Sequence, residues 1–77
     1  MKKRARPYIR ERFGFAVKDL RESMGLTQED FAERVGIHRT YLSDIERGTR
    51  NVSLVNIERL ALALSIEISE LFLTAER

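Results

Sequence analysis

Apolar residues at Ile9, Phe13, Val17, Leu20 and Met24 recur every three or four positions, the period of a helix with one buried stripe. Pro7 suits the first turn of such a helix, where its missing N–H would have no intrahelical partner anyway. Gly14 interrupts the pattern and leaves a start near Arg12 equally open, and Gly25 ends it. A second helix then opens on Thr27 as N-cap, with Asp30 at N3 and Leu26 placed to staple onto Phe31. Phe31, Ala32 and Val35 carry it to Gly36, expected in the left-handed conformation that closes a helix.

Only Ile37 separates that stop from a third helix, expected from about His38 to Arg47 and ended by Gly48. A loop from Thr49 to Val52 leads to Ser53, an N-cap whose neighbours Val52 and Ile57 can form a second staple. The fourth helix follows with Leu54, Ile57, Leu60, Ala61 and Leu64. After a break at Ser65 and Ile66, a last short helix holds Ile68, Leu71 and Phe72. The pattern predicts an all-α fold, a compact five-helix single domain over residues 1–77. It shows no strand signal, repeat or low-complexity tract.

On a wheel of 100° per residue the third helix divides into two faces. Arg39, Thr40, Ser43 and Arg47 share one arc, while Tyr41, Leu42 and Ile45 occupy the opposite one. The first set suits the edges of base pairs. Arg can fork onto guanine O6 and N7, Thr offers a hydroxyl and a methyl for thymine, and Ser bonds either way. Seen alone, such a helix reads first as an ordinary amphipathic helix with a solvated polar side. Its neighbours decide the matter, because Gly36 stands nine residues after Thr27 and the polar-faced helix follows at once. In a helix-turn-helix the first of the pair presents its N-terminus to the DNA backbone, and Gln28 is placed to extend that contact. A solvated first-turn role is the alternative for Gln28.

Charge sharpens this reading without carrying it. The net charge is only +2, yet Lys2, Lys3, Arg4, Arg6, Arg10 and Arg12 face Glu11 alone within the first twelve residues, so the remainder is mildly acidic. DNA binding must therefore come from where individual arginines project, not from overall basicity. The basic arm, residues 1–11, either tracks phosphates or a minor groove, or stands as a disordered solvated tail. With no cysteine and His38 alone, neither a disulfide framework nor a zinc site can be assembled, and no cofactor site is apparent. No nucleophile–base pair or phosphate-cradling glycine loop points to an enzyme. No apolar run approaches the roughly 20 residues of a membrane span, and the chain is expected to be cytoplasmic.

The run Gly25-Leu-Thr-Gln-Glu-Asp-Phe-Ala, then Val35-Gly-Ile-His-Arg-Thr-Tyr-Leu-Ser-Asp-Ile-Glu-Arg-Gly48, then Asn51-Val-Ser-Leu and Leu60-Ala-Leu-Ala-Leu, resembles the phage-repressor-like, or XRE, helix-turn-helix family over residues 13–73. Within it, the segments His38–Ser43 and Arg47–Asn51 look most like the controller proteins of bacterial restriction-modification systems. The resemblance implies a homodimer on palindromic double-stranded DNA that activates and represses its own operon and a linked restriction-enzyme gene. By carry-over, Arg39 and Thr40 would read bases with Ser43 and Asp44 beside them. Gln28, Tyr41, Arg50 and Asn51 would lie near the sugar-phosphate backbone or groove edge. Arg47 is left between base, phosphate and a salt bridge to Asp44 or Glu46, and Tyr41 between packing and DNA. Arg21 and Glu46 match a pair that bridges the first and third helices in this family, and both are assigned a structural role. His38 departs from the usual hydroxyl cap, which suggests either a contact or a weak cap. Ser65 stands where the family usually has Gly, and Glu67 where it usually has a hydroxyl or Asp cap, which blurs the start of the last helix.

A single reading helix offers three or four base contacts, too few for one half-site to suffice, so a twin is expected about one DNA turn away. Leu64, Ile66, Leu71, Phe72 and Leu73 exceed what one short helix can bury on one face. They are expected to form a dimerisation region within residues 60–77, the alternative being that they complete the subunit's own core. Activation would require a surface for RNA polymerase, for which Glu29, Asp30 and Glu33 are the acidic candidates. Competing readings are an antitoxin or phage-type repressor, or a helical protein-interaction module without DNA binding.

Overall fold

A computed structural model describes residues 8–77, which fold as five α-helices. These are α1 (Ile9–Ser23), α2 (Gln28–Val35), α3 (Arg39–Glu46), α4 (Leu54–Ala63) and α5 (Ile68–Glu76), and no strand is present among the described residues. Pro7 and the basic residues from Lys2 to Arg6 lie outside the described part. The expected arm is shorter than residues 1–11, because Ile9, Arg10 and Glu11 already form the first turn of α1. Glu11 closes that turn backwards, its Oε1 accepting the Tyr8 N–H at 3.3 Å.

The local signals act where the sequence puts them. Thr27 Oγ1 accepts the Asp30 N–H at 3.1 Å and Ser53 Oγ accepts the Asn56 N–H at 3.1 Å, each relieving one of the unpaired donors at a helix start. At the start of α5 the helper is different. Glu67 makes no side-chain cap, and the Glu70 carboxylate instead accepts the Glu67 N–H at 3.0 Å. Ser65 adopts φ 58°, the left-handed closure usually given to glycine. Its N–H donates to Leu62 O at 3.0 Å and that of Ile66 to Ala61 O at 3.1 Å, so a complete C-terminal motif forms without glycine.

Helix α1 lies against α3 and α5, α2 against α3 and α4, and α4 against α5. Phe31, Leu42, Ile45, Leu60, Leu71 and Val17 are fully buried where these surfaces meet. The expected stripe on α1 is shifted. Phe13, Ala16 and Val17 face the core with Leu20 at its edge, whereas Ile9 and Met24 are 44% and 40% exposed. On α4, Leu54 points to solvent instead of inward, at 76% exposure. No helix among the described residues is long and apolar enough to cross a membrane.

Gly14, which reads in sequence as an interruption, is a buried contact point inside α1. A Cβ there would lie 2.2 Å from the Ile45 carbonyl oxygen and 2.8 Å from that of Glu46. The backbones of α1 and α3 can approach this closely only where a side chain is missing. Gly14→Ala should therefore force the helices apart and destabilise the fold by about 3 kcal/mol, with the exposed Lys18→Ala as a near-neutral control. Urea unfolding followed by circular dichroism measures both, and a Gly14→Ala loss under about 1 kcal/mol would contradict this packing.

Candidate nucleic-acid interface

Helix α3 is positioned from behind before it presents anything in front. Its rear face buries Leu42 and Ile45, and its last residue, Glu46, turns its carboxylate inward. Arg21 on α1 meets that carboxylate with two nitrogens, Nε to Oε2 at 2.7 Å and Nη2 to Oε1 at 3.0 Å, while Nη1 donates to the Leu26 carbonyl at 2.6 Å. The side chains are 8% and 3% exposed, so both charges are largely desolvated. The hydrogen bond to Glu46 raises the Arg21 pKa against the opposing effect of burial, which keeps the guanidinium charged. Gln28 joins the same carboxylate, Nε2 donating to Oε1 at 3.0 Å. Three elements therefore converge on one side chain: α1, the start of α2, and α3.

In front, Arg39 and Thr40 are exposed and Ser43 is half-exposed on the turns that follow the His38 N-cap. The His38 side chain makes no capping bond and stands exposed. Gln28 sits beside them at the first turn of α2. One of its amide hydrogens is committed to Glu46, which orients the group and aims the remaining one.

Toward the C-terminus of α3 the arrangement differs from the sequence-based expectation. Asp44 does not stand open for a base edge. Its Oδ1 accepts from Arg47 Nη2 and its Oδ2 from Arg50 Nε at 3.3 Å. Arg47, which the sequence leaves between three roles, takes the salt bridge to Asp44 and not to Glu46. Arg50 also lies over the Tyr41 ring, its guanidinium carbon 5.1 Å from the centroid. Tyr41 is half-buried, and its hydroxyl accepts from Asn56 Nδ2 at 3.2 Å. Packing and surface roles thus coincide in one residue, because the ring braces Arg50 while the hydroxyl can still donate outward. Asn51 is exposed in the loop that follows.

Two participants escaped the sequence reading. Asn56 fixes Tyr41, and Arg59 Nη2 donates to the Gly36 carbonyl at 2.8 Å, tying α4 to the turn between α2 and α3. A polar residue on the first turn of α4 was the only signal for Asn56; for Arg59 there was none.

The expected dimer residues divide. Leu71 is fully buried and Leu64 5% exposed within the subunit's own core, so neither offers surface to a twin. Phe72 packs its ring 5.5 Å from that of Phe13, and Ile66 is half-buried against the core. Leu73 alone of the five is mostly open, at 53%, and Leu62 on α4 is more open still at 70%.

Comparison with known proteins bears on the family and the fold. The helix-turn-helix family model matches residues 17–71. Control protein C.MunI from a Mycoplasma species is 50% identical over 70 residues, spanning 90% of this chain and 95% of that protein. The structure of the restriction-modification controller protein C.AhdI from Aeromonas hydrophila superposes with a TM-score of 0.78 at 52% identity, covering 80% of this chain and 94% of that one. The controller protein C.Esp1396I, solved as a tetramer in complex with its natural 35 base-pair operator, superposes with a TM-score of 0.79 at 28% identity over 94% of this chain and all of that one.

Breaking the buried pair should cost far more than deleting it. Arg21→Met leaves Glu46 charged and desolvated and is expected to destabilise by about 3–5 kcal/mol, whereas Arg21→Met with Glu46→Met should recover at least half of that loss. Chemical denaturation of the two variants tests it; equal losses would mean that the charge pairing is not what matters at this position.

Proposed function

The chain belongs to the XRE-type helix-turn-helix family, and from that premise we propose that it is the controller protein of a restriction-modification system, binding a palindromic operator as a homodimer to regulate its own operon. The observation that carries this reading is the division of α3. Its rear is clamped through Glu46, while Arg39, Thr40 and Ser43 project from its first turns, beside the N-terminus of α2. That is the disposition needed for α3 to lie in a major groove with α2 against the backbone. The relative solved on its operator supports the same use of the fold.

In this reading Arg39 forks onto a guanine, Thr40 and Ser43 contact neighbouring bases, and Gln28, Tyr41, His38 and Asn51 approach phosphates or the groove edge. Arg47 and Arg50 supply charge-assisted contacts to the backbone. The protein acts by occupying DNA and carries out no reaction there. Activation would use the exposed acidic side of α2, Glu29, Asp30 and Glu33, against RNA polymerase, and higher occupancy would repress.

A half-site reader needs a twin, and the exposed apolar side of α4 with Leu73 of α5 is the surface proposed for it. Leu54, Val55 and Leu62 are 76%, 65% and 70% exposed and fall on one face of α4. Ile66 and Phe72 would border that surface.

Selection of bound duplexes from a random pool should return a palindrome with half-sites about one DNA turn apart; recovery of no sequence preference would overturn the regulator reading. With the selected duplex, Arg39→Ala should lower discrimination against a scrambled duplex by about 10- to 100-fold, the worth of one bidentate base contact, without altering thermal unfolding. Unchanged selectivity in a gel-shift titration would remove Arg39 from base reading.

Sedimentation should find a dimer at micromolar concentration, and Leu62→Glu combined with Leu73→Glu should convert it to a folded monomer with greatly weakened operator binding. A variant that remains dimeric would place the interface elsewhere.

A further inference from the structure

Arg47 and Arg50 follow the C-terminal end of the reading helix in sequence, and both are already paired. Asp44 holds one on each carboxylate oxygen. The aspartate side chain is only 17% exposed, whereas the arginine side chains are 64% and 52% exposed, so the carboxylate sits beneath two outward-facing guanidinium groups. Its main chain is tied down as well, because Asp44 O accepts both the N–H and the hydroxyl of Thr49 at 3.1 Å. Tyr41 supports Arg50 from the side. A carboxylate whose two oxygens each meet a guanidinium presents the same hydrogen-bonding pattern as the two non-bridging oxygens of a phosphodiester.

We infer that Asp44 is a specificity-determining positioning residue, an internal stand-in for a DNA phosphate that holds Arg47 and Arg50 in one register relative to Arg39 and Thr40. The inference rests on the DNA-binding function proposed above and concerns how that site discriminates.

Held in register, the two arginines meet phosphates only when α3 is seated in its groove with the base contacts made. A loosely docked duplex presents its phosphates at other positions and can be reached only by pulling an arginine off Asp44. That leaves a carboxylate unpaired beside a polyanion. Non-specific binding draws nearly all its affinity from phosphate contacts, so this penalty falls on it in full, while the cognate complex keeps the pairing and avoids it. Exposed ion pairs are individually weak, so the restraint discriminates without locking the arginines permanently. It is a repulsive element against the wrong partner, one of the two general routes to specificity.

The test compares wild type with Asp44→Asn and Asp44→Ala on two probes: a duplex selected from a random pool by the wild-type chain, and a scrambled duplex of equal length. Both variants retain the main-chain carbonyl that Thr49 uses, and a thermal transition identifies a variant that fails to fold, in which case the other carries the test. The expected result is scrambled-duplex binding about three- to fivefold tighter, with cognate binding changed less than about twofold. The salt dependence on the scrambled duplex should also steepen by about one phosphate contact. An equal gain on both duplexes, no change on either, or a loss on both would overturn the inference. Failure of the wild-type chain to prefer any duplex would instead overturn the DNA-binding reading itself.

Discussion

Everything the reading helix presents depends on how closely α3 lies on α1. The missing side chain at Gly14 lets the carbonyls of Ile45 and Glu46 settle onto the α1 backbone, and two turns later Arg21 reaches across to the Glu46 carboxylate. Close approach fixes distance, and the two-pronged ion pair fixes rotation about the helix axis. The second matters more for recognition, because a helix of eight residues with only Leu42 and Ile45 fully buried could otherwise roll and carry Arg39 off a base edge. Gln28 draws the start of α2 into the same carboxylate. The elements expected to meet DNA are thus coupled through one buried charge.

The molecule uses two kinds of ion pair for different ends. Arg21 and Glu46 are desolvated, and their value lies in the large penalty for separating them, which makes the arrangement all-or-none. Asp44 with Arg47 and Arg50 lies at the surface, where water and salt screen the attraction and partners can exchange. A binding surface needs both, with a frame that does not yield and cations that can change partners. Their carboxylates, Asp44 and Glu46, stand on the same short helix two residues apart, and burial separates their behaviour.

Much of this was legible in the chain. Thr27 and Ser53 announce helix starts because a hydroxyl followed by free N–H groups has one obvious local use, and the structure realises both. The alternation of Tyr41, Leu42 and Ile45 against Arg39, Thr40 and Ser43 fixed which side of α3 faces inward, since a period of 3.6 residues is a property of the helix itself. Local rules were less able to place α1 and α4. Ile9, Met24 and Leu54 keep the helical spacing yet lie exposed, because the stripe that is buried depends on where the neighbouring helix ends. Leu64 and Leu71, read as surplus, are consumed by the subunit's own core.

What the sequence determined by itself was therefore what neighbours a few residues apart govern: the five helices, the Thr27 and Ser53 caps, the family motif and the polar arc of α3. The tertiary structure alone decided which partner each charge would take. Arg47 chose Asp44, Arg50 settled on Asp44 and Tyr41, and Gln28 turned to Glu46. Gly14 changed from an apparent break into the point of contact between two backbones. A long cationic side chain can reach many acceptors along a sequence, and only the packed helices set the distances and the dielectric that select one of them.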